Sequence, residues 1–564
     1  MILGLAPVDV AVIILYLVGI TYIGFRSSRS VKTSGDFFMG GRRFGKLSMI
    51  AKAFGVGTRV DHVVAVTGAS YEVGLSGVWY QWLYIFSTPF FWIIAPIYRR
   101  LRYVTTGDFF EERYGTAAAA AYTFGALLFL SVEIGMMLRG TATTVEALTQ
   151  GALSADLMIL VATLAFIGYS SAGGLVAAVS TKLLQSVMIM VLSLLLVPFA
   201  LSRVGGFEEL HRSLPAAMFD LFSSLEVSPF FILMVTINGL VGVIAMPHHM
   251  AIGGAGKSEV SCRTGWTYGN VVKRFATLAW AFTGVMGAAL FPSILSGGHR
   301  EQALGILILN LLPAGLVGLM IAAMLASLMA VCDAYMIDGA ALYTRNVYRK
   351  LARTTADDHR VLRIGRISSV VVAAVGVGFA FLLSDVVTGL TIIWKITAFL
   401  GIPFWIAVFW RRGNRYGLWA SLAVTTAVAL GTQALGWNLA YQIAAYLPAG
   451  ILAFVIVSLL TPQEPEEKLR AFYLLLHTPV GEEQKLAEAG VQPVLQGQSV
   501  ASHSAEAGTP LEEQGHSLLL VDLLTLHRRF SYKRYRVDIL GFLAATVLIL
   551  TIIGCGMLLA GIGS

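Results

Sequence analysis

The chain has 564 residues, 57% of them hydrophobic and only 13% charged, with a mean hydropathy of +0.75. A soluble protein carries roughly a quarter of its residues charged, so this composition excludes a string of soluble domains and points to a surface facing lipid. The net charge of +8 does not mark a nucleic-acid binder, because the basic residues fall in short clusters between apolar runs.

Runs of the roughly 20 apolar residues that a bilayer crossing needs recur about fourteen times. They lie at 7–25, 46–70, 77–98, 117–145, 154–174, 179–202, 228–253, 272–297, 314–345, 363–384, 388–409, 415–436, 440–461 and 538–561. The first has no basic segment before it and no clear cleavage site, so it reads as a retained helix. Residues 1–461 form a membrane core with all the spans but one. Residues 462–537 are a polar loop, partly disordered, and 538–564 hold the last span. The loop ends in a basic and aromatic stretch, His527 to Arg536, that suits a membrane-surface anchor. Cys262, Cys332 and Cys555 are scattered and show no disulfide or metal spacing.

Basic clusters follow the odd-numbered spans: Arg26 to Lys46, Arg99 to Arg102, Lys257 to Arg274, Arg345 to Arg353, and Arg411 to Arg415. By the positive-inside rule the odd loops are cytoplasmic and both termini extracytoplasmic, in a multi-pass protein of the plasma or inner membrane.

Two spans are interrupted. The second holds Gly55, Gly57, Thr58, Arg59 and Asp61 in mid-run, and the seventh holds Pro247 before His248 and His249, among several glycines. Helix-breaking residues at bilayer depth are tolerated where backbone lines a cavity or is buried in protein. A pair of broken helices five apart in order points to an inverted-repeat carrier with its site at the breaks.

Several motifs then carry a family resemblance. These are Asp36-Phe-Phe-Met-Gly-Gly-Arg-Arg43, Pro96-Ile-Tyr-Arg-Arg-Leu-Arg102, Thr106-Gly-Asp-Phe-Phe-Glu-Glu-Arg-Tyr-Gly115 and Gly173 through Thr181-Lys-Leu-Leu-Gln185. Leu312 to Met320, Ala326 to Met329 and Phe409 to Gly417 complete the set. Together they resemble the sodium/solute symporter family, most closely its sodium/glucose cotransporter branch. The resemblance implies an all-α integral membrane protein with a LeuT-type inverted-repeat (5+5) fold. It implies secondary active transport of a small polar solute by alternating access, with Na+ or H+ as coupling ion and no other cofactor. The implied partners are the solute and membrane lipid. Nothing indicates an enzyme or a nucleic-acid partner, and no protein partner is identified. A transporter-like solute sensor is the reading from another class.

Three positions depart from the family pattern. The hydroxyl pair expected after Ser327 is replaced by Ala330 and Val331, which cannot ligate sodium. Lys182 stands where the family motif has an acidic residue, and Arg59 and Asp61 appear in the first interrupted span. Lys182 reads either as a built-in cation in place of sodium, giving a sodium-independent carrier, or as a side chain snorkelling to the interface. Asp333, one helical turn from Ala330, is a candidate partner or proton carrier. Ionisable residues inside apolar runs are functional candidates or structural pairs: Arg59, Arg139, Lys182 and Lys395, with Asp61, Glu133, Asp333 and Asp338. For the solute the resemblance implies His62, Gln81, Lys273, Trp394 and Lys395, and His248 adjoins the second break. His62 and Lys273 suit a sugar as in the family, whereas Gln81 and Lys395 make such a pocket more positive than a sugar site, so the solute is a sugar or an anionic or zwitterionic metabolite. No metal site is expected, since His248 and His249 lack further ligands.

Overall fold

The structure is a computed structural model and describes residues 4–28, 44–222, 228–292, 302–351, 358–383, 386–491, 519–522 and 530–562. The motif at 36–43, the anchor residues 527–529 and loop residues 492–518 lie outside these. The described chain is almost wholly helical, as lipid demands of any backbone that cannot reach water. Phe44 and Gly256 form an isolated parallel β-bridge.

In chain order the helices are α1 (Pro7–Ser28), α2 (Lys46–Gly57), α3 (Val60–Val73), α4 (Phe91–Leu101), α5 (Thr106–Tyr114), α6 (Thr116–Leu148), α7 (Ala155–Leu194) and α8 (Leu196–Val204). There follow α9 (Pro229–Val243), α10 (His249–Gly254), α11 (Glu259–Leu290), α12 (Ala303–Leu311), α13 (Leu316–Leu342), α14 (Asp358–Leu382), α15 (Val386–Phe409), α16 (Arg415–Ala434) and α17 (Leu439–Leu460). The last are α18 (Glu466–His477), α19 (Glu483–Glu488) and α20 (Tyr532–Gly561). Eight helical segments among the described residues are long and apolar enough to cross a membrane. Large apolar side chains stand outward on the outer helices, such as Leu15 on α1 and Leu558 on α20, 75% and 72% exposed. In water such a surface would be a liability; in lipid it is the solvated face.

Most expected spans fall within a few residues of a helix, but three regions differ. The span expected at 77–98 is broken into short helical turns over 74–82 and 88–90, and only α4 is regular helix there. Where two spans, 154–174 and 179–202, are expected, Ala155–Leu194 is one helical stretch followed directly by α8. No proline lies between 155 and 194 to remove a helical hydrogen bond. The span expected at 272–297 is α11, which begins thirteen residues earlier, at Glu259. Charges in its first half depress local hydropathy and displace the apolar window toward the carboxyl end. Lys273 and Arg274, which the charge pattern places in a loop, therefore sit in mid-helix.

Both expected breaks are present. Thr58 and Arg59 are extended between α2 and α3 (φ −104° and −115°). Ile244 to His248 connect α9 to α10 without regular helix across Pro247. α11 lies against α2 and α3 so closely that glycines are required. A Cβ on Gly265 would stand 2.4 Å from the Met49 Cβ, and one on Gly284 would stand 2.3 Å from the Thr67 carbonyl oxygen.

The basic clusters meet at one end of the molecule. Arg100 holds Glu259 through two bonds (2.9 and 3.1 Å), and Arg99 donates to the Gly256 carbonyl at 3.0 Å. Arg345 pairs with Asp108 (3.2 Å), Arg415 with Glu464 (2.7 Å), and Arg113 donates to the Trp410 and Arg411 carbonyls. The first third of the polar loop is folded onto this end. Leu469, Phe472, Leu476 and Leu486 of α18 and α19 are buried, and Arg102 binds Glu483 at 2.9 Å and the Pro479 carbonyl at 2.8 Å.

Candidate functional site

Unwinding two helices leaves backbone groups unpaired, which a fold can bear only where side chains or a ligand take them up. The two breaks converge on one cavity of about 640 Å³ of empty space. Val56, Gly57 and Arg59 line it from the first break and Met246, His248 and His249 from the second. Gln81, Glu133, Trp266, Lys273, Arg274, Tyr335 and Trp394 close the sides.

Five of the six expected solute residues, His62, Gln81, His248, Lys273 and Trp394, line this cavity, and Arg59 joins them. Lys395 does not: its ammonium donates to Gln433 at 2.9 Å, away from the cavity. It follows Trp394 directly, and neighbouring helical residues point about 100° apart, which turns Lys395 toward Gln433 while Trp394 lines the cavity. Arg139 is likewise no interior charge; its side chain is 30% exposed and lies 3.6 Å from Asp156.

Arg59 organises the site. Asp61 takes both sides of its fork, Nε at 3.1 Å and Nη2 at 2.7 Å. Nη1 donates to Glu133 and, at 3.3 Å, to the Tyr335 hydroxyl. The guanidinium thus ties the first break to α6 and α13. Behind it Lys273 Nζ lies 3.1 Å from His62 Nδ1. An ammonium can only donate, so Nδ1 accepts and the ring proton sits on Nε2, 3.9 Å from Asp61. His249 Nδ1 donates to the Val243 carbonyl at 2.6 Å, which fixes that ring across the second break. Among the described residues the buried His248 Nδ1 and Trp266 Nε1 have no hydrogen-bond partner.

The charges do not balance. Arg274 is 1% exposed and donates to the Gln81 carbonyl at 2.8 Å and the Thr88 hydroxyl at 3.3 Å. Among the described residues neither Lys273 nor Arg274 has a carboxylate within 4.0 Å. Arg59, Lys273 and Arg274 outnumber Asp61 and Glu133 by one positive charge.

The remaining candidates form a second locus beside the first break. Lys182, 1% exposed, reaches from α7 to donate to the Ala330 backbone carbonyl on α13. A Cβ added at Gly55 would stand 3.4 Å from its Cδ. Ser327 donates to the Thr58 carbonyl at 3.2 Å, in the extended segment. Asp333 and Lys52 are buried nearby, and Lys52 lies in the fields of Asp338 and Lys182. Lys182 does not snorkel.

Residues 37–424 match the model of the Sodium:solute symporter family. The chain belongs to this family. Curated relatives include Solute carrier family 5 member 4B of Mus musculus, 25% identical over 475 residues, covering 75% of this chain and 71% of that protein. The sodium/myo-inositol cotransporter of Homo sapiens is 24% identical over 542 residues, covering 82% and 74%. Among solved structures, a Na+-coupled sialic acid symporter in a substrate-bound outward-open state superposes with TM-score 0.73 at 17% identity, covering 81% of this chain and 99% of that one. Mhp1, a nucleobase-cation-symport-1 family transporter, gives 0.54 at 15%, covering 77% and 97%. The fold is of LeuT type, and this sodium:solute symporter family member is a multi-pass membrane protein and a secondary active symporter of a small solute.

Arg274, Glu133, Trp266 and Tyr335 line the cavity without being expected at the solute site, and His249 lines it together with His248. Glu133 was visible as an intramembrane charge, and Arg274 only as part of a basic cluster. The signal that would have found Arg274 is its adjacency to Lys273 once α11 is started at its Ser258 cap, whose hydroxyl accepts from the Ser261 N–H at 3.1 Å.

Proposed function

We propose that this symporter carries a small organic anion, or a zwitterion whose carboxylate enters first, and that its coupling does not use sodium at the family's usual position. The observation that carries the first part is the Lys273–Arg274 pair, buried on the cavity wall with no carboxylate within 4.0 Å among the described residues. A buried charge left unpaired costs several kcal/mol, and a solute carboxylate would remove that cost where a neutral polyol would not. Polar contacts for the rest of the solute are available from His62, Gln81, His248 Nδ1 and Trp266 Nε1. The superposable symporter is named for an acid, sialic acid, whereas the curated relatives are named for glucose and myo-inositol, so both kinds of solute belong in the test.

The second part rests on Lys182. Its ammonium lies at the Ala330 carbonyl, where the family resemblance implies a sodium ion held by hydroxyls that Ala330 and Val331 lack. A fixed cation there repels sodium and satisfies the oxygen that sodium would bind. The basic end, by the positive-inside rule, faces the cytoplasm and leaves both termini outside.

The experiment is uptake into proteoliposomes of glucuronate against glucose, which differ by a carboxylate for a hydroxymethyl group. Sialic acid and myo-inositol extend the pair. Preference for the acids with no requirement for sodium is expected. Preference for the neutral sugars refutes the anion reading, and strict sodium dependence refutes the role given to Lys182.

A further inference from the structure

Two carboxylates share one guanidinium at the first break, and they share it unequally. Asp61 occupies the Nε–Nη2 edge of Arg59 with two bonds and is wholly buried, off the cavity surface. Glu133 holds only Nη1, which also serves Tyr335, and it lines the cavity. A bidentate pair is the stronger match, so Asp61 accounts for the Arg59 charge and Glu133 is the surplus carboxylate. It is also the one a proton entering through the cavity can reach.

The groups facing Glu133 are few. Arg59, Asp61 and Lys273 act on it from the first break, α3 and α11. The Tyr84 and Tyr335 hydroxyls feel its charge from the segment before α4 and from α13. His248 lines the same cavity from the second break and Arg274 from α11. Among the described residues, α14 meets this part of α6 through Gly376 and Phe379 beside Gly135, and α15 through Gly389 beside Met136. The α6–α7 ion pair, Arg139 with Asp156, is solvent-exposed in part and six residues away along α6.

We infer that Glu133 is the proton-binding carboxylate of this carrier, and that it takes up a proton together with the anion held at Lys273 and Arg274. This rests on the anion reading above. A bound anion offsets the positive charges of Lys273 and Arg274 on the cavity wall that Glu133 shares, so the proton moves from the solvent in the open cavity to the Glu133 carboxylate. Conversely, a protonated Glu133 raises the excess of positive charge in the cavity from one to two and strengthens anion binding. The two effects are the same coupling seen from either side. Tyr335 and Asp61 continue to hold Arg59 when Glu133 is protonated, so the first break keeps its shape.

The test uses the full-length protein in proteoliposomes containing a pH dye, with glucuronate binding measured in parallel. For the unaltered protein, glucuronate addition drives protons inward, and affinity rises on the order of tenfold between pH 8 and pH 6. Glu133→Gln abolishes the proton signal and makes binding independent of pH, near the low-pH value. Glu133→Asp, which keeps a carboxylate, retains a proton signal with a displaced pH dependence and guards against a fold effect of the amide. Glucuronate uptake by the unaltered protein without proton movement, or proton movement that survives Glu133→Gln, overturns the inference while leaving anion transport standing. Absence of anion binding at every pH overturns both.

Discussion

Replacing Arg274 by Gln removes one charge from the cavity wall and keeps a side chain able to donate to the Gln81 carbonyl, now 2.8 Å from the guanidinium. A carboxylate seated about 5 Å from that charge, at an effective dielectric near 20, is held by about 3 kcal/mol. Losing it weakens binding by about two orders of magnitude. Lys273 remains, so affinity for an acid should fall toward that for its neutral analogue without vanishing. The assay is calorimetric or scintillation-proximity binding of glucuronate and glucose to the purified protein at pH 7. A selective loss for glucuronate, with glucose affected less than threefold, is the expected result. An equal loss for both solutes would mean that Arg274 acts through the Gln81 and Thr88 contacts as a packing element, and the charge argument would fail.

Other perturbations separate parts of the reasoning. Asp9 on α1 accepts from the Gly315 and Gly318 amides at the start of α13 (2.6 and 2.7 Å) and from Ala6 (3.2 Å). Asp9→Ala should cost about 3 kcal/mol of stability, seen as an earlier thermal transition in detergent, with Asp9→Asn intermediate; unchanged melting would show the cap to be dispensable. Lys395→Ala should leave uptake of every solute unchanged, because the ammonium bonds to Gln433; a selective effect on acids would place it back at the site. Burial alone would raise the Glu483 carboxyl, but the Arg102 charge and hydrogen bonds outweigh it and hold the group below the ordinary glutamate value. A depressed carboxyl stabilises above its unfolded value near 4.3. Hydrogen exchange over 478–488 should therefore stay slow from pH 8 to pH 5 and quicken only below that value, whereas Glu483→Gln should quicken it at pH 7. Exchange that rises steadily between pH 7 and pH 5 would contradict the pairing.

Much of the scaffold is legible from apolar runs, because a membrane helix must be both long and apolar. The two breaks are legible because Gly57 and Pro247 stand where an uninterrupted helix would not place them. What escapes is charge placed inside a helix for function. Lys273 and Arg274 look like the edge of a span when hydropathy alone sets the start of α11, and like the end of a loop cluster by charge, since the feature that makes them useful is the one that hides the first half of the helix. The facing of Trp394 and Lys395 follows from the phase of α15, which its packing against α9, α6, α16 and α17 sets. The unequal sharing of Arg59 by Asp61 and Glu133 depends on residues 74 positions apart, and no spacing rule brings those together.

The arginines at the basic end have a history as well as a place. In the extended chain Arg100, Arg102, Arg113 and Arg415 are free positive charges, the kind that orient a helix as it enters a bilayer. In the folded protein Arg100, Arg102 and Arg415 are neutralised by Glu259, Glu483 and Glu464, and Arg113 lies buried against backbone carbonyls. Their topological message is therefore readable only during insertion. Two of the three neutralising glutamates lie downstream of α17, so the message persists until nearly the whole core has been threaded, and the finished carrier presents far less positive charge to anionic headgroups than its sequence suggests.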